Sequence, residues 1–85
     1  TENTSFKLIN RFAIGEVDVE FNSVKNGNAV FSVYDMAGKE IKKQQVQLTE
    51  GKNISIVPTS GWNRGIYVAT LKTDEEFFTE KFFVE

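Results

Sequence analysis

The sequence predicts an all-β fold, an immunoglobulin-like antiparallel β-sandwich of about seven strands. Three observations carry that expectation. Runs rich in β-branched and aromatic residues recur along the chain, with turn signals about every 8 to 12 residues. Several of these runs alternate apolar and polar side chains with the period of two that a half-buried strand requires. No stretch carries the apolar spacing of an amphipathic helix. A sheet with one apolar face must bury it against a second sheet, which favours a sandwich over the alternative, a small closed barrel.

Taken in order, a polar lead is followed by a first short strand, Phe6 to Phe12. Glu16 to Phe21 alternates cleanly, placing Val17, Val19 and Phe21 on a core face and Glu16, Asp18 and Glu20 on a wet one. Asn22 to Asn28 is a turn, because the Asn26-Gly27 pair tolerates the positive φ angles of tight hairpins. Ala29 to Tyr34 is apolar on both faces, as expected at the centre of a sheet. A tight turn over Asp35 to Lys39 follows, with Gly38 in the left-handed region.

Glu40 to Leu48 carries Ile41, Val46 and Leu48 on mismatched parity, which calls for a β-bulge near Lys43 to Gln45. After a turn over Thr49 to Lys52, the run Asn53 to Val57 is expected to present Ile54 and Ile56 inward, and Pro58 ends it. Thr59 to Arg64 forms a corner in which Trp62 plugs the end of the core. The chain closes with a hairpin, Gly65 to Leu71 and Phe77 to Glu85, joined by a turn through Thr73, Asp74, Glu75 and Glu76. Its second strand is apolar on both sides: Phe77, Thr79, Lys81 and Phe83 share one face, Phe78, Glu80, Phe82 and Val84 the other. Either both faces are covered or one awaits a partner.

Eighty-five residues fit one domain, spanning 1–85, which buries only about 60 to 65% of its unfolded-chain surface. Hydrophobic residues at 40% and charged ones at 26% place it among globular chains. A net charge of −2 gives no electrostatic reason for nucleic acid as a partner. Apolar runs fall short of the roughly 20 residues of a membrane helix, so membrane insertion is not expected. Cysteine and histidine are both absent, which removes disulfides, thiol nucleophiles and the commonest general base and metal ligand.

Catalytic chemistry is correspondingly bare, and no enzyme, metal site or cofactor is expected. The spacing of Glu16, Asp18 and Glu20 is that of a strand's solvent face, not of a catalytic carboxylate pair. Asp74, Glu75 and Glu76 could bind Ca²⁺ weakly, but an acidic hairpin turn is usually just solvated. Lys39, Lys42 and Lys43 form the polar side of a strand, and the glycosylation patterns at Asn3 and Asn53 are short enough to arise by chance.

Four blocks carry a resemblance. Val33 to Ile41, Leu48 to Ile56, Trp62 to Val68 and Thr79 to Val84 are similar, in order and spacing, to the C-terminal sorting domain (type A) of type IX secretion cargo proteins of Bacteroidetes. The likeness covers residues 29 to 85. The family's Gly-x-Tyr motif falls on Gly65 and Tyr67, its Tyr-Asp-x-x-Gly hairpin on Tyr34, Asp35 and Gly38, and its terminal Lys block on Lys81 to Glu85. Many members begin with a Pro-Asn-Pro block, whereas Ser5 to Ile14 contains no proline.

The resemblance implies a seven-stranded immunoglobulin-like sandwich that acts as a secretion signal. It implies that the chain is the C-terminal fragment of a longer exported protein, which passes the periplasm and is directed through an outer-membrane translocon to the cell surface or the medium. A surface sortase-like peptidase would then remove the domain and couple the passenger to lipopolysaccharide. Recognition by translocon and sortase is expected at Lys81, Phe82, Phe83, Val84 and Glu85, displayed preorganised in the last strand. Gly65, Tyr67, Tyr34, Asp35 and Gly38 are expected to be mostly structural. The partners implied are proteins of the secretion and attachment machinery, with a homodimer as a further option. A small periplasmic or surface module for protein binding or signalling is the alternative function. A carbohydrate-binding role would require Trp62 and Tyr67 to be exposed together.

Overall fold

The computed structural model describes residues 5–74 and 76–85, which form eight strands and no helix. Strands β1 (Ser5–Leu8), β3 (Glu16–Ser23) and β6 (Gly51–Pro58) make a three-stranded sheet in the order β1-β3-β6. Strands β2 (Phe12–Ala13), β8 (Phe77–Val84), β7 (Gly65–Lys72), β4 (Gly27–Asp35) and β5 (Glu40–Leu48) make the facing sheet in the order β2-β8-β7-β4-β5. All pairings are antiparallel except β2 with β8. The expected all-β sandwich is therefore present, with one strand more than expected. The first predicted strand divides around Ile9 to Arg11, and its halves join different sheets.

The period-two pattern sets the core. Val17, Val19 and Phe21 of β3 face Phe31 and Val33 of β4 and Ala69 and Leu71 of β7, all fully or almost fully buried. Phe6, Phe21 and Phe31 pack ring against ring, with centroids 5.5 to 6.3 Å apart, and join the two layers. β4 lies inside its sheet between β7 and β5, as its two apolar faces require. At the β4–β5 turn Gly38 has φ +87°, and the Asp35 carboxylate accepts hydrogen bonds from the Ala37 and Lys39 amides, each at 2.9 Å.

Several expectations are corrected. Asn26-Gly27 is not a tight hairpin, because β3 and β4 belong to opposite sheets and the segment crosses between them. The bulge in β5 falls at Ile41, where the register shifts between Val33 opposite Lys42 and Tyr34 opposite Glu40. The mismatched parity of Ile41 and Val46 requires one extra residue in β5 without fixing which residue it is. Ile54 and Ile56 point out of the sandwich, 57% and 59% exposed, while Val57 packs into the core. Their register fixes this: Ile54 is opposite Glu20 and Ile56 opposite Asp18, and those positions alternate with the inward Val19 and Phe21. The predicted turn residue Glu75 lies outside the described residues.

Glu20, expected on a wet face, is buried to 7% exposure under its own ion pairs. Lys7 Nζ lies 3.5 Å and Lys52 Nζ 3.7 Å from its two oxygens, and the Asn22 amide donates at 3.1 Å, so one carboxylate ties β1, β3 and β6. Burial pushes its pKa up, but Asn22, Lys7 and Lys52 together outweigh it and the net shift is downward from the usual 4.5. Glu16 shifts the other way. Its hydrogen bond to Asp18, repulsion from the Asp18 charge and burial all favour its protonated form. When protonated it can donate to the Asp18 carboxylate, whose buried Oδ1 otherwise has no partner among the described residues.

A Glu20 pKa lowered by folding stabilises the protein above pH 4.5, and that contribution is lost as pH falls through the folded value. Glu20→Gln should therefore lower the midpoint of thermal unfolding at pH 7, with the deficit shrinking in acid. A raised Glu16 pKa has the opposite sign, so Glu16→Gln should raise the midpoint at neutral pH and lose that advantage in acid. Thermal unfolding followed by circular dichroism across pH 3 to 7, approximately, checks both. Leu71→Ala, at a fully buried position, should cost about 2–5 kcal/mol, enough to unfold much of so small a domain at 37 °C.

Candidate functional site

The terminal strand β8 is held on both sides. On one side it pairs with β7 along its whole length, from Lys72 opposite Phe77 to Gly65 opposite Val84. On the other it pairs in parallel with β2, Phe12 opposite Phe83 and Ala13 opposite Val84. The Phe83 amide donates to the Arg11 carbonyl at 2.8 Å, and the Glu85 amide to the Ala13 carbonyl at 3.0 Å. Arg11 adds a clamp from its side chain. Its guanidinium donates to the Lys81 carbonyl at 3.1 Å and to the Glu80 carboxylate at 2.9 Å.

The two faces of β8 have different fates. Phe82 and Val84 are buried in the core, and Phe78 packs against its edge. Lys81 and Glu85 are exposed, and Phe83 is half-buried. The outward residues continue into cross-strand rows. Phe12, Phe83 and Ile66 form one row across β2, β8 and β7, with the Phe12 and Phe83 rings 6.1 Å apart. Lys81, Val68 and Tyr34 form the next, across β8, β7 and β4. Phe12 remains 71% exposed despite its contact. Ile66 extends the surface towards exposed Met36, with which it lines a shallow depression together with Asn63 and Arg64. An apolar strip flanked by Lys81 thus crosses the outer face of the five-stranded sheet beside the end of β8.

Beneath that end lies an aromatic group. Tyr67 and Phe82 stack with centroids 5.9 Å apart, and Trp62 leans on both at 5.3 and 6.5 Å. The Tyr67 hydroxyl donates to the Asn63 carbonyl and so fixes the corner that precedes β7. Gly65 opens β7 at φ +152°, a backbone angle that side chains other than glycine rarely adopt. Since Tyr67 is buried to 4% exposure, it and Trp62 do not make an open platform for a sugar ring. Asn53 is also committed, its amide donating to the Thr49 and Gly51 carbonyls at 2.8 and 3.2 Å. Among the described residues no group of acidic side chains is placed to hold a metal ion.

The sequence profile of the secretion system C-terminal sorting domain matches residues 13–85. The chain belongs to that family. The match takes in every strand from β3 onward and stops at the chain's last residue. Among curated proteins no sequence matches the chain. Family membership makes the domain a type IX secretion sorting signal of an exported protein bound for the cell surface or the medium. It interacts with the type IX machinery, and the family is not a catalytic one. β1, which precedes the matched span, had no counterpart in the resembling blocks, nor had Phe12 and Arg11. Only the fold brings these residues to β8.

Tyr67→Phe removes one hydrogen bond from a buried ring and should cost about 1 kcal/mol. Gly65→Ala forces a strained backbone at an otherwise open site and should cost on the order of 1–3 kcal/mol. Lys81→Ala, at an exposed position, should change stability by no more than about 0.5 kcal/mol. Chemical denaturation of the three variants checks all three values.

Proposed function

We propose that the sorting domain is read by the outer-membrane translocon, and then by the surface attachment machinery, through the outward side of β8. Lys81, Phe83 and Glu85 make the contact, with Phe12 and Ile66 extending it, while Phe82 and Val84 act by anchoring the strand in the core. The observation that supports this reading is the double pairing of β8. A strand fixed by β7, β2 and the Arg11 clamp loses little conformational entropy when a partner binds it. The apolar row supplies buried area, and Lys81 supplies a charge that fixes orientation. The passenger reaches the translocon from the periplasm, and the domain is processed after transfer.

A fusion of residues 1–85 behind a signal peptide and a fluorescent reporter tests this in a host with type IX machinery. The fused reporter should reach the surface or the medium only when the translocon is present. Lys81→Ala and Phe83→Ser should leave folded reporter in the periplasm, and deletion of residues 81–85 should abolish export. Export that is undiminished in the folded Lys81→Ala and Phe83→Ser variants would overturn the assignment of the contact to β8. A folded wild-type fusion confined to the periplasm would overturn the translocon reading as a whole.

A further inference from the structure

The open edge of the three-stranded sheet has a polarity that the fold of one chain does not use. In β6 the inward positions are Asn53, Ser55 and Val57, while the larger apolar side chains Ile54 and Ile56 face solvent. Among the described residues no strand pairs with the outer side of β6, so its backbone is open at the same residues. The Thr59 amide donates to the Gly15 carbonyl at 2.9 Å, and β3 and β6 pair without a register shift. By the alternation of an antiparallel ladder, the odd-numbered residues of β6 therefore bond to β3, and Lys52, Ile54 and Ile56 turn their N–H and C=O groups to the free edge. Pro58, next in that series, has no N–H to offer and closes one end of the open window.

This edge is complementary to itself. We propose that β6 pairs antiparallel with β6 of a second copy of this chain, about a two-fold axis at Ser55, joining the two three-stranded sheets into one. In that register Ile54 of each copy faces Ile56 of the other, and their edge-facing backbone groups exchange hydrogen bonds. The two large apolar side chains that β6 leaves exposed on each chain thereby cover each other.

The charges agree with the register. Glu16 and Asp18 are side by side on β3, with no cation partner among the described residues. Glu16 is opposite Pro58 in the same chain, and the two-fold brings the other copy's Lys52 to the far side of Pro58. Two strand spacings, about 10 Å, separate the backbones of that Lys52 and Glu16, a gap their side chains can span. Glu20 meanwhile keeps Lys7 and Asn22. The pairing uses the sheet opposite to β8, so it stands independently of the sorting contact.

Sedimentation equilibrium of the 85-residue chain tests the pairing, with Ile54→Lys and Ile56→Lys as surface variants whose thermal unfolding confirms that they fold. Wild type should dimerise reversibly with concentration, and each variant should raise the dissociation constant by about tenfold or more. Ser55→Cys places one cysteine on the axis of a chain that otherwise has none. It should form a disulfide-linked dimer under mild oxidation far faster than Ile66→Cys on the other sheet, because a non-hydrogen-bonded antiparallel pair has the spacing a disulfide needs. A chain that stays monomeric, a dimer indifferent to both lysine variants, or equal cross-linking at positions 55 and 66 would overturn the proposal. Protection of the Ile54 and Ile56 amides from hydrogen exchange only when a different protein is added would assign the edge to that protein and likewise overturn self-pairing.

Discussion

Most of the architecture depends on one constraint, that the last strand must be inserted between two others. β8 could have been the outermost strand of its sheet, with a row of unpaired backbone groups. Instead the segment after β1 leaves its own sheet, crosses the open side of the sandwich and lies parallel to the final residues. Arg11 contributes a backbone carbonyl and a guanidinium to the same short stretch of β8. The core side chains Phe82 and Val84 then fix which face of the strand turns outward. Everything displayed by Lys81, Phe83 and Glu85 depends on that placement.

The two sheets divide the labour. The five-stranded sheet carries Lys81 and Phe83 on its outer face, together with the apolar row that Phe12 completes. The three-stranded sheet is secured by a buried carboxylate and two lysines, an arrangement that gains stability because Glu20 keeps its charge in the fold. Glu16 on the same strand shows the contrary balance, beside the Asp18 carboxyl and without a cation among the described residues. A single strand thus holds one acidic side chain that favours the folded state when ionised and another that favours it when protonated.

Much of this was legible in the sequence wherever period and turn chemistry acted alone. Val17, Val19 and Phe21 specified their face, Gly38 with Asp35 specified a hairpin, and the parity break in β5 announced a bulge. The sequence blocks pointed to the sorting family, which the profile match over residues 13–85 establishes. What escaped was set by pairing between distant strands. Ile54 and Ile56 look like core residues in isolation, and only their register against Glu20 and Asp18 turns them outward. Asn26-Gly27 has hairpin chemistry, but the strands on either side belong to different layers. Phe12 and Arg11 carry no local signal, since their partners lie some seventy residues away.

That long-range closure has a consequence for when the domain can become complete. The parallel pairing of β2 with β8 joins the beginning of the fold to its last residues, so it is among the contacts with the largest loop to close. The Glu85 amide itself holds Ala13. Without residues 83–85 the β2–β8 pairing and both of its backbone hydrogen bonds are lost, and Arg11 alone holds that side of β8. Closure of the fold therefore waits on residues 83–85, and the face that β8 turns outward is fixed only once they are in place.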